Sequence, residues 1–417
     1  MHLDLFNRNK SSLVNNSFYL YLSHFADYIL TLFLLPFIAR TIGPTELGKI
    51  GLAQTFGLLI ILFMEFGSSL MATREVARIK DNQSILKEFI EQLTIFKIFL
   101  IPIAFIFSLF VIIFIPIFFN NPHYVIIAVL GAIFQGISPM WYFQGIEKMK
   151  TIAFSKLFFR LIGFIIILFY VKSSSDGWIV LASYSLTSVL ICIYLYFRII
   201  KRLGSLILIR PYRTKFIFTK SIPSFLITII PMVYQNISVM ILSIFVNPIQ
   251  LGFYYGASRV YRAFNTLYSP ISQAFFPIIS SLDNKNKTES IFLIRKYLFL
   301  ITIIGLFFFL INFLFSEQII KVLLGNEFSG SSNLLRIFSI VLPLTAISNA
   351  LGRQWLMVIN KDFFYSTVQL FSSLIAFIAF SYFINGFGIK AFPISLIVYE
   401  ISAIIMIIIF LISNDRD

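Results

Sequence analysis

Arg259 and Arg262 are the residues whose type and spacing ask most strongly for chemistry. They lie in the run from Asn247 to Pro277, which reads as one long helix apolar enough to sit in a membrane. They come about ten residues in, near the depth of a bilayer midplane. A guanidinium there costs about 2.5–3.5 kcal/mol on insertion scales, so such residues usually face a bundle interior or a water-filled cavity. At i, i+3 the two share a face. Tyr255, Ser258, Asn265, Thr266, Ser269 and Gln273 extend that face into a polar stripe. Two like charges on one stripe want an anion, and a planar guanidinium fork suits phosphate or carboxylate. The alternative is structural pairing with Asp27 or Glu65. Both hold in turn if such a pair opens for a substrate.

Other charged residues fall inside apolar runs. Lys97 stands in a third span, as a cavity cation or as a side chain snorkelling to the interface. Lys156 and Arg160, at i, i+4, open a fifth span and are candidates either to receive an anion first or to anchor the helix among headgroups. Asp27 and His24 share a polar stripe in the first span, with the means to relay protons in a cation-coupled carrier or to serve as hydrogen-bonding counter-groups. Glu65 closes the second span within reach of Lys97 or Arg74. Trp141, Tyr142, Trp178 and Trp355 near span ends read as aromatic-belt residues. No metal-ligand cluster, phosphate-binding Gly-rich loop or nucleophile motif is evident. The expectation is therefore no cofactor beyond H⁺ or Na⁺ as a coupling ion.

The elements that must position these residues are transmembrane helices. Of 417 residues, 59% are hydrophobic and 12% charged, and mean hydropathy is +0.91. About twelve segments are long enough to span, near 14–38, 46–70, 88–116, 122–144, 151–171, 178–198, 218–246, 250–277, 290–314, 331–356, 363–384 and 389–412. The net charge of +15 comes from residues dispersed over alternate loops, not from a nucleic-acid-binding face. Arg8, Lys10, Arg74, Arg78, Lys148, Lys150, Lys201 and Arg202 fall on one side and few on the other, which predicts cytoplasmic termini. The polar segment Met1–Asn16 has no cleavable-signal pattern, so the first helix is expected to direct insertion. Cys192 sits alone in an apolar run as a small buried hydrophobe.

The chain also reads as a repeat. Gly43-Pro44-Thr45-Glu46-Leu47-Gly48 parallels Asn247-Pro248-Ile249-Gln250-Leu251-Gly252, and Trp141 aligns with Trp355. This predicts an all-α membrane protein of two six-helix lobes, 1–212 and 213–417, related by a pseudo-two-fold along the membrane normal.

Four stretches carry a resemblance. They are Ala39–Gly48 with Glu65-Phe66-Gly67 and Arg74-Glu75-Val76-Ala77-Arg78; Trp141-Tyr142-Phe143-Gln144-Gly145-Ile146-Glu147-Lys148-Met149; Gly252-Phe253-Tyr254-Tyr255-Gly256-Ala257 with Arg259; and Leu324-Gly325-Asn326-Glu327-Phe328. In this order the chain resembles the polysaccharide repeat-unit flippases of the Wzx type, in the exporter superfamily that also holds the MATE carriers and the lipid II flippase. The resemblance implies a V-shaped, MATE-like pair of lobes. It implies passage of undecaprenyl-pyrophosphate-linked oligosaccharide, such as O-antigen units, from the cytoplasmic to the periplasmic leaflet of a bacterial inner membrane by alternating access. It implies membrane lipid as surroundings, a monomer as the unit, and a polysaccharide polymerase and chain-length regulator as candidate partners.

Two other functions compete. A cation-coupled drug antiporter of the same superfamily favours acidic residues in its cavity, whereas the mid-span charges weighed here are mostly basic. A membrane polysaccharide polymerase or ligase favours a large outer loop, and the outward loops are short.

Overall fold

The structure, a computed structural model, describes the backbone of residues 2–206, 214–268, 271–272, 275, 287–356 and 361–414, with most side chains from residue 33 onward and that of Tyr19. Among the described residues there is no strand. The first unit is built from α1 (His2–Glu65), α2 (Ser68–Ile79), α3 (Gln83–Phe114), α4 (Pro116–Asn120), α5 (Pro122–Ile137), α6 (Met140–Gly145), α7 (Met149–Tyr170) and α8 (Gly177–Leu203). Then follow α9 (Thr214–Phe245), α10 (Pro248–Thr266), α11 (Lys287–Leu314), α12 (Ser316–Leu323), α13 (Ser331–Asn349), α14 (Asp362–Phe387) and α15 (Ala391–Asn414). Each of the twelve expected spans has a helical counterpart, the first two being the limbs of α1 on either side of Gly43.

Eight helical stretches among the described residues are long and apolar enough to cross a membrane. Two of them, Phe33–Ile79 and Phe363–Ser413, run to 47 and 51 residues, room for two crossings each at about 20 residues per crossing. The chain is therefore a multi-pass membrane protein. Its outer helices carry the apolar surface this requires, with Phe99, Ile106, Leu109 and Ile113 of α3 all exposed. By contrast α10 is not among the eight apolar stretches. Arg259, Arg262, Asn265 and Thr266 lower its hydropathy, and protein takes the place of lipid around it: nine of its 19 residues are buried.

Contacts divide the chain into two compact units, Met1–Ile42 with Leu52–Ile229 and Gly43–Gly51 with Ile230–Asp417. The division read from the sequence lay at 212/213; the contact division runs through α9 and assigns 43–51 to the second unit. The order of elements repeats. The long α3 ends at Phe114 before short α4, and the long α11 ends at Leu314 before short α12. The next span is broken in both units: α5 stops at Ser138–Pro139 before α6, and α13 passes into a π-helical segment, Ala350–Leu356. Trp141 and Trp355 stand in those terminal pieces.

The two aligned turns meet in the second unit. Asn247 caps α10: its side chain accepts from the Gln250 N–H at 2.8 Å, and the Gln250 side chain accepts from the Asn247 N–H at 3.3 Å, with Pro248 in the first turn. This reciprocal cap supplies orphan N–H groups with partners, and proline there gives up no helical bond. In the other turn Gly43 takes φ 74, a left-handed conformation that bends α1. The helices then cross reciprocally. A Cβ on Gly252 would run into the Pro44 carbonyl, and one on Gly48 into the Pro248 carbonyl. Neither neighbour is a side chain that swings away. Gly51 likewise lies against the Tyr255 ring.

In the first unit the Glu65-Phe66-Gly67 motif is a joint. Phe66 and Gly67 both have positive φ, ending α1 and redirecting the chain into α2. The Phe66 ring stacks on Phe225 at 4.3 Å and on Phe218 at 5.1 Å, packing that holds the unfavourable backbone. The second joint is the break between α5 and α6. Pro139 has no N–H, so carbonyls at the end of α5 lose helical donors. Lys97, 1% exposed, reaches across from α3 and donates to the Gly136 carbonyl at 2.6 Å. A cation at a helix C-terminus is favourably placed. The break also turns Trp141 and Tyr142 inward, where each is 1% exposed. They are core residues, which corrects the aromatic-belt reading; Trp178, 45% exposed, keeps a surface position.

Gly48→Ala and Gly252→Ala are each expected to cost about 1–3 kcal/mol through overpacking, seen as a lower unfolding temperature of the purified protein. Gly386→Ala, where nothing lies within 4 Å, should leave that temperature unchanged or slightly higher. Lys97→Ala should cost about 2–5 kcal/mol as a buried truncation. Lys97→Met should cost less, because it keeps the volume and removes the buried charge; the same melts check both.

Candidate binding cavity

The polar stripe of α10 opens into a cavity of about 280 Å³ wholly within the second unit. Its walls come from α9, α10, α13, α14 and α15. From α10 come Ser258, Arg262 and Asn265, one helical turn apart, and the rings of Tyr254 and Tyr261. Facing them are Thr345 and Ser348 of α13, Gln369 of α14, and Tyr399 and Glu400 of α15. Gln235 of α9 completes the polar lining.

Glu400 is 7% exposed, and each of its oxygens meets a hydroxyl of α13. Thr345 donates to its Oε1 at 2.9 Å, and Ser348 donates to its Oε2. Gln369 is held beside it by the Tyr399 hydroxyl, which donates to the amide oxygen. Below these, Tyr234 and Ser395 share a hydrogen bond of 2.9 Å. Satisfied buried polar groups of this kind rigidify a site, since each unmade bond would cost about 1–3 kcal/mol. Arg262 is exposed, and among the described residues no ion pair joins it to Glu400 or to any other acid.

The residues named from the sequence separate into groups. Arg262, Ser258 and Asn265 line the cavity, whereas Arg259 is half-buried outside its lining. Tyr255 is buried, its ring against Gly51. Thr266 turns back to donate to the Arg262 carbonyl at 2.8 Å. Ser269 and Gln273 lie outside the described residues, as do the side chains of His24 and Asp27. In the first unit Glu65 stands in the electrostatic field of Lys97 and Lys156, which groups three of the named residues. The Arg160 guanidinium lies over the Tyr184 ring, 5.6 Å from its centre, a cation–π contact. Lys97 itself serves the broken span already described.

Sequence reading passed over Glu400, Gln369 and Thr345. Glu400 had a signal: it is the only acid between Ala391 and Asn414, and an ionisable residue in a span is by default a functional candidate. Thr345 and Ser348, at i, i+3 on α13, have meaning only once α15 is placed against them.

Residues 13–283 match the family model described as polysaccharide biosynthesis protein. A candidate O-antigen transporter of Escherichia coli (strain K12) is 29% identical over 378 residues, covering 89% of each chain. A second, from Shigella dysenteriae, is 25% identical over 348 residues, covering 82% of this chain and 85% of the other. Among solved structures, the lipid II flippase MurJ in an inward closed conformation superposes with a TM-score of 0.71 at 16% identity, covering 94% of this chain and 87% of that one. An inward-facing multidrug MATE family transporter of the MOP superfamily gives 0.65 at 15% identity, covering 93% and 94%. The fold is thus that of the MOP exporters, and with its family model matched over well more than half its length, the chain belongs to the polysaccharide biosynthesis protein family.

Proposed function

We propose that this protein is a flippase that moves lipid-linked oligosaccharide repeat units of a surface polysaccharide across the bacterial inner membrane. The carrier is an undecaprenyl pyrophosphate, and the route is alternating access through a cationic cavity with both termini cytoplasmic. The observation that carries this reading is Arg262, an exposed guanidinium in a polar, aromatic-lined cavity of a multi-pass membrane protein. A cation so placed favours an anion, and phosphate is the anion that an arginine fork matches best. The O-antigen transporters to which the chain is similar point to the same class of cargo. Arg259, Lys156, Arg160 and Lys97 belong to the proposal as further cations along the path. Proton or sodium coupling through His24, Asp27 and Glu65 belongs to it too, with Glu65 already in the field of two lysines. The protein acts as a monomer that hands its cargo to a polymerase and chain-length regulator.

Glu400 favours a second reading, a cation-coupled exporter of small molecules, because a buried carboxylate suits a cationic cargo. Arg262 in the same cavity opposes that cargo by like charge.

Arg262→Ala is expected to lower surface polysaccharide about ten- to a hundredfold, the loss of one charge-assisted contact, with the membrane level of the protein unchanged. Arg262→Lys should restore part of it. Quantitative blots of surface polysaccharide and of the protein check this. Undiminished polysaccharide together with a new sensitivity to cationic drugs would replace the flippase reading with the exporter.

A further inference from the structure

We propose that the cavity of the second unit is a sugar subsite. Glu400 accepts hydrogen bonds from the hydroxyls of one neutral sugar ring, and Arg262 meets an anionic group attached to that ring. The inference rests on the flippase reading and deepens it, by saying which part of the cargo this cavity takes.

Size comes first. At about 280 Å³ the cavity lies at the lower edge of small-molecule sites, which run roughly 300–1,000 Å³. One hexose-sized ring fits this scale; an oligosaccharide does not. Chemistry comes next. A pyranose has flat patches of C–H and a rim of hydroxyls, each both donor and acceptor. Tyr261 and Phe338, stacked on each other at 5.1 Å, form an aromatic part of the wall. Gln235, Asn265 and Gln369 offer amides that donate and accept. The carboxyl group of Glu400 keeps hydrogen-bonding capacity beyond the bonds from Thr345 and Ser348.

The same details count against an ion. A hard cation needs several bare oxygens converging on one point. Here Glu400 is the one carboxyl group in the lining, and a guanidinium lines the same space. No group of three His, Cys, Asp or Glu able to hold a metal occurs among the described residues. A pyrophosphate carries several negative charges, and this lining offers it one cation, Arg262. The lining is graded: Arg262 is exposed, whereas Glu400 is 7% exposed. A ligand with hydroxyls at its inner end and an anion at its outer end matches that gradient. A sugar joined to phosphate through its anomeric oxygen is such a ligand.

The test uses the full chain in lipid nanodiscs, with isothermal titration calorimetry as the readout. The probes are free hexoses, N-acetylhexosamines, their 1-phosphates and inorganic pyrophosphate. At least one sugar 1-phosphate should bind the wild type. Glu400→Gln should weaken it at least tenfold and leave pyrophosphate binding unchanged. Arg262→Ala should weaken the 1-phosphate to the level of the free sugar. Should Glu400→Gln not fold, as judged by its melt, Asn265→Ala at the half-buried cavity wall supplies the same comparison. Absence of any saccharide binding, or equal loss of pyrophosphate binding in Glu400→Gln, overturns the subsite. So does loss of ²²Na⁺ binding in that variant with saccharide binding intact. Complementation of a flippase-deficient strain separates the two levels. Restored surface polysaccharide with no saccharide binding sinks the sugar subsite alone. No restoration by the wild type sinks the flippase reading.

Discussion

A guanidinium inside a membrane protein must be given water or an anion, and the second unit is arranged around that demand. Helix α10 carries Arg262 and satisfies its own backbone, as any segment at membrane depth must. Its first turn is closed by the Asn247–Gln250 cap. Neighbouring helices bury its apolar face and leave the polar stripe facing a cavity. Two further spans then contribute groups that suit water or a polar guest, Gln369 from α14 and Glu400 from α15. The outward faces of those two spans stay apolar, with Ile378 of α14 and Ile409 of α15 exposed.

Holding α10 in place falls to close backbone contact. Gly48 and Gly252 let two helix starts approach until one carbonyl faces the missing side chain of the other. Within membranes, where lipid removes much of the hydrophobic drive between helices, small residues that permit such approach are a main source of packing energy. The same logic explains the other recurrent stretches. Phe66-Gly67 turns the chain, Gly145 docks α6 onto Val76 of α2, and Gly325 turns with φ 97 so that Phe328 is fully buried beside Gly256. The stretches that carry the family resemblance are therefore joints of the scaffold. Most of the cavity residues, Gln235, Gln369 and Glu400 among them, lie outside them. Scaffold motifs report what kind of protein this is, while the cavity reports what it handles.

This separation sets how much was legible from the residues alone. Span positions could be read, because hydropathy and length are local properties, and so could Arg262, because a charge in an apolar run is costly wherever it points. The internal repeat left local traces as well, in the paired Pro-x-x-Leu-Gly turns and the two tryptophans. What could not be read was mutual position. Trp141 and Tyr142 looked like surface aromatics until the Pro139 break turned them inward. Lys97 read as a cavity cation or as a snorkelling side chain, and neither reading gave its acceptor, a backbone carbonyl 39 residues away in sequence. Glu400 is one acid in a long apolar helix, and only the packing of α13 against α15 gives it two hydroxyl donors.

The central claim is that this chain moves a lipid-linked oligosaccharide from one leaflet to the other. The most direct measurement places the purified protein in proteoliposomes with a sugar-labelled, undecaprenyl-pyrophosphate-linked repeat unit. A membrane-impermeant glycan-modifying enzyme outside the vesicles then reports which units have reached the outer leaflet. The account predicts that units first protected in the inner leaflet become modified far faster than in protein-free vesicles. Equal rates with and without the protein, under imposed proton or sodium gradients of either sign, would contradict it.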